Sequence, residues 1–196
     1  MISISKLLRT AALVGVTAAA AVLPTFGGTA SAAPADKAPA AVVKAPALNA
    51  TAKAHLAKAG KAICVNAHVQ NIGWQGWRCS GKGWPVTAGT TGQSLRLEAV
   101  SVLTHKIGGI CLRAHVQNIG WQQTRCAANN KIVTVGTTGQ SLRMEALRLW
   151  AGKRICAQGH VENIGWQGWS CSKHSWPAVI GTTGQSLRLE ALRLKV

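Results

Sequence analysis

Apolar and polar residues alternate with a period of two through most of the chain beyond residue 62, and no helical period shows there. His68, Gln70, Ile72 and Trp74 fall on one face of a predicted strand, with Val69, Asn71 and Gly73 on the other. Further on, Leu95, Leu97 and Ala99 alternate against Arg96 and Glu98, and then the phase slips by one, so that Val100 and Val102 are the next apolar pair. The slip recurs at Ala146 and Ala191, which predicts a bulge or a strand that changes sheets. The Gly-Thr-Thr-Gly run from Gly89 to Gly92 between the two blocks reads as a tight turn.

The pattern occurs three times. Cys64–Ala99, Cys111–Ala146 and Cys156–Ala191 superpose without a gap, and the length difference between copies falls in the connection that follows. The repeats run 63–108, 109–153 and 154–196 within a domain spanning 62–196. One copy is too small to hold a core, whereas three together suffice for a modest domain. The expected fold is all-β, with the three repeats in a pseudo-threefold β-prism-like arrangement and a β-trefoil as the alternative; the long final strands favour the prism.

The N-terminal residues belong to a different regime. Lys6 and Arg9 precede an apolar run from Ala11 to Leu23, then Pro24 and the small residues Ala30-Ser31-Ala32. This order predicts a secretory signal peptide over 1–32, and the run is too short to span a bilayer. Residues 33–61 are rich in Ala, Pro and Lys and read as a flexible linker, with a transient helix between Asn49 and Lys61.

Export changes how the cysteines and the charge are read. The pairs Cys64/Cys79, Cys111/Cys126 and Cys156/Cys171 are equally spaced at the same place in each copy, which predicts three disulfides inside the repeats. Removing Lys6 and Arg9 from 22 basic residues leaves 20 against 5 acidic ones, a net charge of +15. Outside a cell such a charge attracts anionic wall polymer, acidic polysaccharide or lipid headgroups; no specific nucleic acid is expected. The linker adds possible electrostatic contact with an anionic wall or membrane.

The strings AHVQNIGWQ and GTTGQSLRLEALRL carry a resemblance. They look like the clostridial hydrophobic repeat with a tryptophan, the ChW repeat, in all three copies. The resemblance implies an extracellular or cell-surface protein of a Gram-positive bacterium and a binding or adhesion module. It supplies neither a ligand nor catalytic residues.

The tryptophans sort the candidate binding residues. Trp74, Trp121 and Trp166 occur in every copy and are expected to pack. Trp77 and Trp169 correspond to Thr124, and Trp84 and Trp176 to Lys131, so copies one and three hold a pair that copy two lacks. A position that exchanges Trp for Lys belongs near the surface. Trp77, Trp84, Trp169 and Trp176 are therefore the expected ligand-binding residues, in touching pairs, with Gln70, Gln75 and Gln167 supplying amides for sugar hydroxyls. Asn71, Asn118 and Asn163 are read as turn residues. His68, His115 and His160 are read as structural, and no metal is expected. Glu98, Glu145 and Glu190 are expected to pair with Arg96, Arg143 and Arg188.

Carboxylates are too few for a two-carboxylate hydrolase, and no cysteine is left over as a nucleophile. The chain is expected to be no enzyme and to need no cofactor. The expected function is a secreted binding module for carbohydrate or cell-wall polymer, with a surface-protein partner as the alternative and a cationic membrane- or polyanion-binding role as a further one.

Overall fold

The computed structural model describes residues 43–173 and 176–196. The expected signal peptide and the first part of the linker lie outside them. Each copy contributes five strands. Copy one has β1 (Ala62–Val69), β2 (Gly73–Trp74), β3 (Arg78–Gly81), β4 (Val86–Gly89) and β5 (Leu97–His105). Copy two has β6 (Ile110–Val116), β7 (Gly120–Trp121), β8 (Arg125–Ala127), β9 (Ile132–Gly136) and β10 (Met144–Ala151). Copy three has β11 (Cys156–Val161), β12 (Gly165–Trp166), β13 (Ser170–Cys171), β14 (Ala178–Gly181) and β15 (Leu189–Lys195). Among the described residues one helix, α1 (Ala50–Lys58), precedes them.

The fold is all-β, in three antiparallel five-stranded sheets. No sheet is made by one copy alone. The first runs β2-β1-β5-β9, the second β14-β10-β6-β7 and the third β12-β11-β15-β4, while β3, β8 and β13 pair with β1, β6 and β11. The fourth strand of each copy thus completes another copy's sheet: β9 joins copy one, β14 joins copy two and β4 joins copy three. The exchange closes on itself. Inside, alternate residues of the long strands bury together, among them Ile63, Val65, Leu112, Leu147, Ala157 and Leu192. Burying them removes apolar surface from water, the main favourable term in folding.

The stretch from His68 to Trp74 differs from the single strand expected of it. It is a hairpin, in which β1 ends at Val69, β2 begins at Gly73, and the Ile72 N–H donates to the Val69 carbonyl. Asn71 takes φ 63°, with Asn118 and Asn163 at 63° and 60°. Asn is among the few side chains that enter this left-handed region readily.

The phase slip is a bulge. His68 pairs with Ala99 and Val69 with Leu97, so Glu98 is the extra residue. Glu145 and Glu190 occupy the same position in the other two sheets.

The disulfides Cys64–Cys79, Cys111–Cys126 and Cys156–Cys171 are present. Each joins residues directly opposite on paired strands and pins the short strand to the long one. Each closes a sequence separation of 15, for which chain entropy gives about 3 kcal/mol. Full reduction should therefore lower the melting temperature sharply. An unchanged melt in reductant would show that the clips carry no stability.

Residues 50–58 of the stretch read as a linker form α1, which packs on copy one. The Asn49 side chain accepts from the Ala52 N–H at 2.8 Å, capping the helix. Leu48, Ala52 and Leu56 meet Trp77, Leu103 and the Cys64–Cys79 clip. Ala52 and Leu56, four apart, share one face of α1, and Leu48 lies just before its N-cap. That cover explains why β1 is buried on both faces while β6 alternates.

Candidate binding surface

The residues common to all copies meet at the joint between sheets. Gly136, at the end of the exchanged strand β9, lies opposite Ala99 beside the Glu98 bulge. The Thr137 N–H donates to the Glu98 carbonyl at 2.8 Å. Gln122 clamps Gly136 from its own copy: the Gly136 N–H donates to Gln122 Oε1 at 2.8 Å, and Gln122 Nε2 donates to the Gly136 carbonyl at 3.0 Å. Gln75 holds Gly89 in the same way, and Gln167 holds Gly181.

The Glu98 side chain is buried between Arg96 and His68. Arg96 Nη2 lies 2.8 Å from Oε1, and His68 Nδ1 lies 3.1 Å from Oε2. The histidine makes no hydrogen bond at Nδ1 despite that distance, so this is an off-axis electrostatic contact. The His68 ring packs edge-on against Trp74, with centroids 5.3 Å apart. Copies two and three repeat the cluster with Arg143, Glu145, His115 and Trp121, and with Arg188, Glu190, His160 and Trp166. Arg148 lies over Trp121 and Arg193 over Trp166, with guanidinium carbons 4.2 and 4.0 Å from the ring centroids. Each histidine serves its own sheet. Among the described residues no three His, Cys, Asp or Glu gather as a metal site would require.

Several expected ligand residues are therefore occupied by the scaffold. Gln75 and Gln167 spend their amides on glycine backbone, because a side-chain amide matches a peptide N–H and C=O as well as it matches a sugar hydroxyl. Gln70 sits at the hairpin turn, half-buried, with its backbone N–H donating to the Arg96 carbonyl. At the same position in copy three Glu162 lies 2.5 Å from Arg188.

Trp77 is not at the surface. It is 6% exposed under α1, and its indole N–H donates to the Pro46 carbonyl at 3.2 Å. Trp77 and Trp84 stand at opposite ends of β3 and do not pair, because α1 draws the first ring down while the second sits on the β3–β4 turn.

The other three tryptophans do face solvent. Trp84 is 76% exposed, Trp176 78% and Trp169 39%. Lys195 Nζ stands 4.2 Å from the centroid of Trp169. Lys195 was not among the expected site residues; the available signal was that it replaces Leu103 and Trp150 at the same register position. The backbone holds the exposed rings firmly. Ser80 Oγ donates to the Trp84 carbonyl at 2.9 Å, and Trp176 exchanges two backbone hydrogen bonds with Lys173. Just beyond two of these rings the chain leaves its own copy, since β4 after Trp84 pairs with β15 and β14 after Trp176 pairs with β10.

These features define a class: a disulfide-clipped all-β repeat protein whose shared motif is a joint and whose exposed rings differ from copy to copy. Clostridial hydrophobic W (ChW) matches residues 68–103, 115–150 and 160–196, more than half of the chain, and the chain belongs to that family. No curated protein and no solved structure matches it. Among the described residues no helix is long and apolar enough to cross a membrane.

Proposed function

We propose that the chain is a secreted, non-catalytic binding module for an extracellular carbohydrate or cell-wall polymer. The observation that carries this reading is the exposure of Trp84, Trp169 and Trp176 on short connections next to paired strands, with Trp84 hydrogen-bonded to Ser80 and Gly81 and Trp176 bridged to Lys173. A flat indole in water stacks on the C–H face of a sugar ring, and a rigid mount lowers the entropy lost on binding. Exported location is supported by the three disulfides and by the leader-like order of the first 32 residues. The absence of a catalytic role is supported by the carboxylates: Glu98, Glu145, Glu162 and Glu190 are each tied to an arginine.

A glycan array and a pull-down on purified wall polymer test the proposal. Replacing Trp84, Trp169 and Trp176 together by alanine should weaken binding roughly a hundredfold, at about 1 kcal/mol per ring. The melting temperature should fall only slightly, since Trp84 and Trp176 face water and Trp169 alone is partly covered. If the triple variant binds wall polymer as the unaltered protein does, the reading fails.

A further inference from the structure

The cations of the chain are not spread evenly. A cleft of about 350 Å³ is lined by Lys61, Lys82, Lys153, Arg154 and Lys195, with Ile107 and Cys156 in its apolar wall. A second cleft of about 390 Å³ shares Lys153 and Arg154 with it and adds Lys173. No carboxylate side chain lines either cleft. A carboxylate at Val196, which also lines the first, would still leave five positive charges against one negative.

These cations come from distant parts of the chain. Lys61 precedes β1, Lys82 lies on the β3–β4 turn, Lys153 and Arg154 connect β10 to β11, and Lys195 ends β15. The backbone beneath them is fixed. The Lys153 N–H donates to the Ile107 carbonyl at 2.8 Å, and the Gly83 N–H donates to the Val196 carbonyl at 2.9 Å. Gly152 and Gly108 meet so closely that a methyl group on either would stand 2.9 Å from the other's Cα.

The scaffold does not require this charge. In copy two the positions of Lys61, Lys82, Arg154 and Lys195 hold Gly108, Asn129, Gly109 and Trp150. The cations thus gather at one junction, where copies one and three meet at the end of copy two. Like charges held together in a cleft repel, and an anion entering it relieves that repulsion. Among the described residues, Lys61, Lys82 and Arg154 make no ion pair that would neutralise them.

From this we propose that the junction cleft is a binding site for closely spaced phosphate groups, as on a phosphate-bearing polymer. The Arg154 guanidinium matches two phosphate oxygens in a bidentate way, while the lysines serve as point charges along a chain of them. The site shares Lys195 with the surroundings of Trp169, but it needs no sugar stacking on the indoles, and its test contains no sugar.

The probe is inorganic tripolyphosphate, titrated calorimetrically into the full chain at physiological salt. One saturable site per chain is expected. Lys153→Gln with Arg154→Gln, or Lys61→Gln with Arg154→Gln, should weaken it about tenfold or more, each lost contact being a charge-assisted hydrogen bond. A control with the same charge change away from the cleft, Lys53→Gln with Lys131→Gln, should stay within about twofold. All variants should melt like the parent, because these side chains are exposed. Equal weakening in the control, or no saturable binding at all, overturns the proposal.

Discussion

A chain cut after Lys153, carrying copies one and two with two of the three disulfides, will not fold cooperatively. In an open solenoid, loss of a terminal repeat removes one increment of stability and leaves the others standing. Here the cut removes β14 from β10 and leaves β4 without β15. The inner faces of both remaining sheets, from Val65 to Leu149, lose the third wall of the core. The apolar area so exposed far exceeds what a protein of marginal stability tolerates. Near-ultraviolet circular dichroism and limited proteolysis of the truncated chain would check this. A sharp unfolding transition in the two-copy chain would show that the closed exchange is not what holds the fold.

The next largest effect belongs to a single methyl group. Gly136→Ala should cost roughly 3 kcal/mol or more and lower the melting temperature by about 10 °C. Gly136 has φ 100°, a region costly for any residue with a Cβ. The added carbon would stand 2.3 Å from the Glu98 carbonyl oxygen and 2.7 Å from Ala99 Cα, both backbone atoms of another strand. That strand cannot retreat, because its bulge is fixed by Arg96, His68 and the Thr137 N–H. By contrast, Gly139 has open space around it, so the clash terms of the estimate vanish there. A thermal melt of both variants separates the effects, and equal stability of the two would contradict the tight joint. Gly89 and Gly181 meet Glu190 and Glu145 in the same way and should behave alike.

The joint explains what was readable in the sequence. Period-two alternation, the slip at Ala99 and the cysteine spacing each report a local backbone fact, and strands, bulge and clips followed from them. Alternation does not say which strand lies alongside which, so the exchange of β4, β9 and β14 was hidden. Gln75 and Gln167 were misread because an amide bonded to backbone looks, as a residue type, the same as one poised for a sugar. Trp77 was misplaced for another reason. Its cover comes from Leu48, Ala52 and Leu56, whose spacing of four is plain in hindsight but sat within Ala- and Lys-rich sequence that suggests no core. Trp84, Trp169 and Trp176 are exposed, as expected of positions where copy two carries Thr124 and Lys131, since a site that accepts a polar or charged side chain lies near water.

The glutamine, glycine, arginine and glutamate that build the joint belong to the shared motif, while the exposed turn tips lie outside it. Inheritance and novelty are thereby kept on separate residues. The glutamine, the glycine, the arginine and the glutamate must stay for the ring to close. A tip such as Trp84 or Lys131 answers to no neighbour across the joint. A lineage carrying this fold can therefore alter one tip at a time without disturbing the closure that keeps it folded, and under the proposed function each such change alters what the molecule recognises.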